Sequence, residues 1–497
     1  MHECLRLNYP CLCRQLHETA PTSPHHKRPR VCQIKNADLC TGMFELTQNI
    51  AALSTPLGGG LAVIRVSGPH SWPGVAPFFR PMGKKHAPWS HRQALVGNWM
   101  DGEEVLDQVV LLPFKGPNSF TGEDLVEISF HASPYVVERA LHQLAGLGIR
   151  PAQAGEFTRR AFMNGKMDLA QAEAVADLLS ASHKAAARMA MQHLGGAFSN
   201  RIAQMRLGLL DFCALLELEL DFSEEEVEFA SRSDLAERIR QIEQQIQALL
   251  HTYSMGRAIK QGIPVAIVGR PNAGKSTLLN ALLQEERALV SDIPGTTRDT
   301  VEDELILEGI RFRFIDTAGI RDTQDPIEKL GIERSFDALR RSGMVLHLGD
   351  AQSQSLEEFE LEEADWRERL GLEDKPILRI WNKMDVPEAQ MPAAGGMAIS
   401  ARNGEGLEEL KQALLDNLAE MGYGNQDLLI SQARHKGLLE QAVQALERVR
   451  QHLEAGYSGD LLALDLRQAM RPLEELTGQI GTEEVLGHIF GRFCIGK

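Results

Sequence analysis

The stretch Gly269-Arg270-Pro271-Asn272-Ala273-Gly274-Lys275-Ser276 constrains this chain more than any other. An apolar run, Ile263 to Val268, leads into it, and a helical pattern, Thr277 to Leu283, leads out. A strand, then G-x-x-x-x-G-K-S, then a helix is the context of a phosphate-binding loop. The glycines let backbone N–H groups turn toward phosphate oxygens. The helix that follows points its positive end at them. Lys275 can reach the β and γ phosphates, and the Ser276 hydroxyl can sit on Mg²⁺.

Three more pieces follow in order, each after an apolar strand pattern. Asp316-Thr317-Ala318-Gly319 comes after the alternation Ile310, Phe312, Phe314. Asn382-Lys383-Met384-Asp385 ends the run Ile377 to Trp381, and Ser400-Ala401-Arg402 follows Met397-Ala398-Ile399. Asp316 can hold the Mg²⁺ shell and the Gly319 N–H can meet a γ-phosphate. A carboxylate at 385 can accept two hydrogens from guanine N1 and N2, which adenine lacks, so a buried Asp385 would reject ATP. The spacing alone establishes a P-loop nucleotide site. The order resembles the translation-factor branch of P-loop GTPases, and that resemblance implies GTP. One residue departs from Ras-like proteins: Ile320 stands where they carry the water-orienting glutamine, and isoleucine cannot do that work.

At 497 residues the chain has room for about three domains. Its net charge of −16 gives no global attraction to nucleic acid, so RNA contact needs a local basic patch or a partner. No run approaches the ~18 apolar residues of a membrane span. The seven cysteines do not form a disulfide framework for a chain this long, and a reduced cytoplasmic setting is expected. Residues 1–42 hold Cys4, Cys11, Cys13, Cys32 and Cys40 with no helical or strand period, and they are read as a disordered or mis-started leader.

Residues 43–161 show an α+β pattern, with strands at Leu61–Val66, Val105–Leu112 and Asp124–Phe130 and a helix from Pro134 to Leu147 stopped by Gly148. From 162 the pattern is helical. Asp168 and Gln171 form a capping box, and one long helix is expected through His183 to His193. Further helices are expected at Asn200–Leu220 and Ser233–Tyr253. The nucleotide segment, 259–422, interrupts them. Helical stripes resume with Leu438, Leu439, Ala442, Val443, Leu446 and Val449, then Leu461, Leu464, Met470, Leu473 and Leu476. The expected fold is therefore multidomain α/β and α: an α+β N-terminal domain, then a Ras-like α/β P-loop domain inserted in an all-α domain built from 162–258 and 423–497.

The chain ends Phe493-Cys494-Ile495-Gly496-Lys497. With the P-loop sequence, the switch Gly295-Thr296-Thr297-Arg298-Asp299, Gly116 to Asp124 and Gly155 to Phe162, this tail resembles the MnmE (TrmE) family of tRNA-modification GTPases over about Met43 to Lys497. The resemblance implies K⁺-dependent hydrolysis coupled to G-domain dimerisation. Asn272, Ser291, Ile293 and Thr296 would ligate K⁺. Ser276 and Thr297 would hold Mg²⁺, and Glu328 would orient the attacking water. The GTP site would comprise Asn272, Ala273, Gly274, Lys275, Ser276 and Thr277, then Ser291, Asp292, Ile293, Pro294, Gly295, Thr296 and Thr297. It continues through Asp316, Thr317, Ala318 and Gly319 to Asn382, Lys383, Asp385, Ser400, Ala401 and Arg402. Ser291 and Pro294 stand where threonine and alanine are expected, and Ala132-Ser133 stands where Gly-Gly is expected.

Glu328 also fits a capping box after Asp325-Pro326, and from sequence geometry alone it reads as structural. Cys494 has only Arg492 and Lys497 as nearby cations in sequence. The resemblance makes it a participant in the modification. It also implies a 5-formyl-tetrahydrofolate or related reduced-folate site at Arg65, Glu127, Lys166 and Lys497. The implied assembly is a homodimer that joins an MnmG/GidA-type flavoprotein as a heterotetramer and acts on tRNA. The implied reaction adds a carboxymethylaminomethyl or aminomethyl group at C5 of the wobble uridine. The alternative is an Era/Der-like ribosome-assembly switch, but no basic G-x-x-G segment of a KH domain follows the GTPase motifs.

Overall fold

The computed structural model describes residues 47–82, 90–221, 231–284, 303–315, 336–371, 375–386, 396–421, 428–480, 483–491 and 493–496. The expected leader, residues 1–42, lies outside them.

The N-terminal lobe is a seven-stranded sheet in the order β3-β4-β5-β6-β2-β1-β7. Its strands are β1 (Ile50–Leu53), β2 (Leu61–Ser67), β3 (Phe79–Pro81), β4 (Leu95–Asp101), β5 (Glu104–Phe114), β6 (Leu125–His131) and β7 (Arg150–Pro151). Neighbours are antiparallel except β1 with β7. Alternation sets the faces. Ile64, Val66 and Ile128 turn toward the helix Pro134–Gly146, burying Ala140 and Leu144. Arg65 and Glu127, directly opposed across β2 and β6, lie on the other face. Strands β1, β3, β4 and β7 are absent from the sequence reading, β3 and β7 being only three and two residues long. β1 has four apolar residues with no period. β4 is interrupted by Gly97, whose missing side chain makes room for Phe79.

Helices from both flanks of the inserted segment share one core. Leu209, Leu216, Ile239 and Ile246 from the first flank pack with Leu439, Leu446, Leu466 and Leu473 from the second, all buried. Burying each such side chain stabilises by roughly 1.5–3 kcal/mol, so each flank contributes to the stability of the other.

Two helical expectations are corrected. The helix expected through His183 to His193 is two helices, Leu169–Ser180 and Lys184–Leu194, because His183 caps a new start, its Nδ1 3.3 Å from the Ala186 N–H. Leu461 and Leu464 are 44% and 53% exposed, and Leu462 and Leu466 are buried in their place. The spacing 462, 466, 469, 473, 476 follows the helical period, and 461 and 464 fall off that face.

The inserted lobe is a six-stranded sheet, β13-β12-β11-β8-β10-β9. Its strands are β8 (Ile263–Val268), β9 (Asp303–Leu307), β10 (Ile310–Ile315), β11 (Met344–Asp350), β12 (Ile377–Asn382) and β13 (Met397–Ala398). All pairs are parallel except β9 with β10. β11 is buried from Met344 through Gly349, as a parallel strand covered on both faces requires, with His347 inside the otherwise apolar run hydrogen-bonded to Glu362 and Glu363.

The two chain crossings into this lobe are tied to the same helix. Asp177 accepts from Lys260 on the way in (2.5 Å) and from Gln432 on the way back (3.1 and 2.9 Å). Ile430 donates to Thr252 Oγ1 at 3.0 Å, and His193 Nε2 lies 2.7 Å from the Leu429 carbonyl. Beside them, Arg434 and His435 both bind the buried carboxylate of Glu173. No helix among the described residues is long and apolar enough to cross a membrane.

Candidate functional site

The carboxyl ends of β8, β10, β11, β12 and β13 lie along one edge of the six-stranded sheet, the edge at which open α/β sheets bind ligands. The phosphate loop leaves β8 there and enters the helix Lys275–Gln284. Two glycines are indispensable. Gly269 has φ +153° and Gly274 φ +98°, and an added Cβ would collide with the Leu348 carbonyl at the first and Asn382 Nδ2 at the second. Asn272 also takes a left-handed conformation, φ +64°. Positive φ at these positions is the kind of backbone that builds a concave anion-binding loop.

Lys275 folds back onto its own loop, with Nζ donating to the Gly269 and Arg270 carbonyls at 2.7 and 2.8 Å. Burial pushes its pKa down. An ammonium held by two carbonyls in a partly buried loop gains from an anion at the same place. Arg270 is anchored outward to Glu362 and Glu358 at 2.8 and 3.1 Å, which ties the loop to the helix Leu356–Leu370.

Asn382 is a staple between loops. Its Nδ2 donates to the Ala273 carbonyl at 2.8 Å and its Oδ1 accepts from the Ala401 N–H at 3.0 Å. It thus fixes the phosphate loop relative to Ser400-Ala401-Arg402. Ser400 Oγ donates to Asp385 Oδ1 at 2.8 Å and accepts from the Asn403 N–H at 3.2 Å, which orients the carboxylate. Asp385 is exposed rather than buried, and Thr277 and Arg402 are exposed as well. Lys383, at φ +69°, pairs with Asp350 at 2.7 Å, a contact that lowers the Asp350 pKa against its burial. The sequence reading missed Asp350. Its signal is its place one residue past the buried run of β11, at the ligand edge.

Ser291, Asp292, Ile293, Pro294, Gly295, Thr296, Thr297, Asp316, Thr317, Ala318, Gly319 and Glu328 lie outside the described residues, as does Lys497. Of the residues expected to hold metals, the described ones are Asn272, in the phosphate loop, and Ser276, in the first turn of the helix Lys275–Gln284.

On the N-terminal sheet Arg65 and Glu127 bind each other, with Nε and Nη2 of the arginine both on Oε1 at 3.0 and 2.7 Å. The guanidinium also lies over Phe120 and Phe157. Lys166 Nζ donates to the Pro117 carbonyl at 2.9 Å. The segments Gly116–Asp124 and Gly155–Phe162 interlock around the buried Arg160, which pairs with Glu123 and Glu156 at 3.0 Å each. Ser67 Oγ lies 2.7 Å from Thr121 Oγ1 behind them.

The tail closes on the same lobe. Ile495 bridges Ala154, and the Gly496 carbonyl accepts from Ser54 Oγ at 3.1 Å. Cys494 is exposed and lines a cavity of about 640 Å³ with Ala52, Pro56, Leu141, Ile149 and Leu179. No metal-ligating cluster of His, Cys, Asp or Glu occurs among the described residues.

Two family models match the chain: the MnmE helical domain at residues 169–494 and the GTP-binding protein TrmE N-terminus at 49–166. The tRNA modification GTPase MnmE of Christiangramia forsetii is 44% identical over 478 residues, covering 91% of this chain and 100% of that protein. The tRNA modification GTPase MnmE of Cytophaga hutchinsonii is 45% identical over 459 residues, covering 91% of this chain and 98% of that one. Among solved structures, the G domain of the T. maritima FeoB iron transporter overlaps 31% of this chain and 98% of its own, at 22% identity and a TM-score of 0.24.

Proposed function

The chain belongs to the MnmE family of tRNA modification GTPases, and from that premise we propose that it modifies C5 of the wobble uridine of certain tRNAs together with a flavin-dependent MnmG/GidA-type partner. It is a GTP hydrolase acting in tRNA modification. The added group is carboxymethylaminomethyl or aminomethyl, its methylene drawn from a folate one-carbon unit. GTP hydrolysis drives a conformational cycle rather than the bond change. The observation that carries this reading is the placement of Cys494: the tail brings an exposed thiol to a cavity of the N-terminal sheet.

In the proposed nucleotide site the amides of Asn272 to Ser276 and the Lys275 ammonium bind the phosphates, and Asp385, oriented by Ser400, reads guanine. The preformed loop and the carbonyl-held lysine fit a polyphosphate. Ser276 with Thr297 would hold Mg²⁺, and Asn272 with Ser291, Ile293 and Thr296 would hold K⁺. A cation there stabilises charge developing between the β and γ phosphates, the work of an arginine finger elsewhere. This reading also removes the need for a glutamine at Ile320, because Glu328 orients the water. Glu328→Ala is expected to cut GTP turnover more than about tenfold with little change in GTP affinity, read by phosphate release and nucleotide titration. Unchanged turnover would refute the assignment.

A reduced folate suits the N-terminal face chemically. Both Arg65 bonds to Glu127 go to Oε1, and in the proposed site Oε2 accepts from an N–H of the pterin edge while Lys166 and Lys497 supply charge for a glutamate tail. Calorimetric titration of the protein with 5-formyl-tetrahydrofolate should show saturable binding that Arg65→Ala abolishes. The working form is a homodimer, joined to the flavoprotein as a heterotetramer in the cytoplasm.

Nucleoside mass spectrometry of bulk tRNA tests the whole reading. Cells lacking the gene should lose the C5-modified wobble uridine, wild type should restore it, and Cys494→Ser should not. Full restoration by Cys494→Ser would remove the thiol from the chemistry. Persistence of the nucleoside without the gene would overturn the function.

A further inference from the structure

Strand register sets three residues in a row at the loop end of the inserted sheet. His347 of β11 lies opposite Val268 of β8, the residue before Gly269, and opposite Arg379 of β12. The His347 ring is fully buried, with the rings of Phe359 and Trp366 centred 4.0 and 4.4 Å away. Both belong to the helix Leu356–Leu370. So do the two carboxylates that meet the imidazole. Nε2 lies 3.0 Å from Glu362 Oε2, and Nδ1 lies 3.3 Å from Glu363 Oε1.

A neutral imidazole has one N–H and one lone pair, so it can donate to one of these carboxylates and not to both. The lone pair on its other nitrogen would face an anionic oxygen. Both contacts form together when both ring nitrogens carry a proton. The carboxylates are the ionised partners. Burial raises the Glu363 pKa, but His347 and Arg379 bring it to about 2, and His347 and Arg270 lower that of Glu362 against the same effect. The charges then alternate along a row: Arg379, Glu363, His347, Glu362, Arg270. Arg379 donates to both oxygens of Glu363 at 2.8 Å. At the other end Arg270 Nε donates to Glu362 Oε1 at 2.8 Å, and Gln354 Nε2 lies 3.4 Å from the same oxygen. A buried imidazolium between two carboxylates holds each of them in one orientation.

The Arg270 end of the row reaches the nucleotide edge. Arg270 is the second residue of the phosphate loop, and its carbonyl accepts from Lys275 Nζ at 2.8 Å. We infer that His347 is a positioning residue for nucleotide binding: its imidazolium holds Glu362, Glu362 holds Arg270, and Arg270 holds the phosphate loop against the helix Leu356–Leu370. The inference rests on the phosphate-loop reading of Gly269 to Ser276. A loop released at Arg270 has more freedom to lose when a nucleotide binds, and that cost appears in affinity. Once phosphates fill the loop they hold it themselves, so turnover at saturating GTP changes little.

A double-mutant cycle on the full chain tests this, with affinity for a non-hydrolysable GTP analogue read by calorimetry and turnover by phosphate release. His347→Phe keeps a flat ring between Phe359 and Trp366 and removes both donors. It should weaken binding about fivefold and leave turnover at saturating GTP within about twofold. Arg270→Ala should weaken binding at least as much, and adding His347→Phe to it should cost nothing further, because the path is already cut. Losses that multiply in the double variant overturn the inference, and so does unchanged affinity in His347→Phe. Glu362→Ala, at a partly exposed position, gives a second route that does not disturb the strand. It should show the same loss, again absent in the Arg270→Ala background, and no loss there overturns the inference. Arg379→Ala separates positioning from stability. It cuts the far end of the row, so it should lower the melting temperature and leave affinity within about twofold. An affinity loss equal to that of His347→Phe would mean that the cluster acts through stability alone, and the inference falls. Lys275→Ala tests the loop itself. If it keeps wild-type affinity, the phosphate-loop reading falls and the inference with it. If it loses binding while the cycle is additive, the inference falls alone.

Discussion

Asp385→Asn is expected to weaken GTP binding by roughly 10²–10³-fold and to confer binding of xanthosine triphosphate, on the reading that Asp385 meets the base. A carboxylate accepts from both N1–H and the C2 amino group of guanine. Asparagine keeps one acceptor and adds one donor, so the C2 amino group meets another N–H. Xanthine has a carbonyl at C2, which accepts from that donor. Each charge-assisted hydrogen bond lost is worth about 1.5–3 kcal/mol, which sets the size of the change. The carboxylate is presented by Ser400, and Ser400 is placed by the Asn403 amide. Ser400→Ala should therefore weaken GTP binding less than the asparagine variant does, without the switch to xanthine. Calorimetry with both nucleotides decides it. Retention of GTP affinity within about threefold in Asp385→Asn would remove Asp385 from base recognition.

The second large effect is on stability. Glu173 is buried, accepts from Arg434 at 2.9 and 2.8 Å and lies 2.7 Å from His435 Nε2. Burial by itself pushes its pKa up, but His435 and Arg434 overcome this and bring it to about 2. A carboxylate with a lowered folded pKa stabilises above its unfolded value and loses that contribution as pH falls through the folded value. The contribution is therefore full above about 4.5 and fades toward about 2. Glu173→Gln leaves the arginine without a counter-charge in the helical core. Breaking a buried pair in this way costs about 3–5 kcal/mol. Thermal unfolding should come roughly 10 °C lower, and the loss should shrink as pH drops from 5 toward 3. A shift of less than about 2 °C at pH 7 would show that the cluster contributes little net stability.

The strand, phosphate loop and helix from Ile263 to Gln284 were the most legible part of the chain, for a physical reason. Phosphate binding depends on local backbone geometry, and Gly269, Gly274 and Lys275 specify that geometry within eight consecutive residues. A parallel strand covered on both faces also announces itself, as β8 does, because every position is apolar; β11 carries the buried His347 within its run and was not read from the sequence. Helical periodicity located the bundle but not its phase. Leu461, Leu462, Leu464 and Leu466 offer two candidate stripes, and packing against the helix Ala197–Asp221 selects the one through 462 and 466.

By itself the sequence determined the order of the phosphate loop, the strand-end motifs and the helices on either side, because each depends on residues close in the chain. Only the tertiary structure decided which distant groups meet. It set Arg65 against Glu127 through strand register, used Asn382 to bind two loops, tied both crossings of the inserted lobe to Asp177, and laid the tail of Cys494 on the N-terminal sheet. These contacts join residues up to hundreds of positions apart. Their partners are chosen by burial, charge and hydrogen-bond satisfaction once the lobes have packed, and no local pattern encodes that choice.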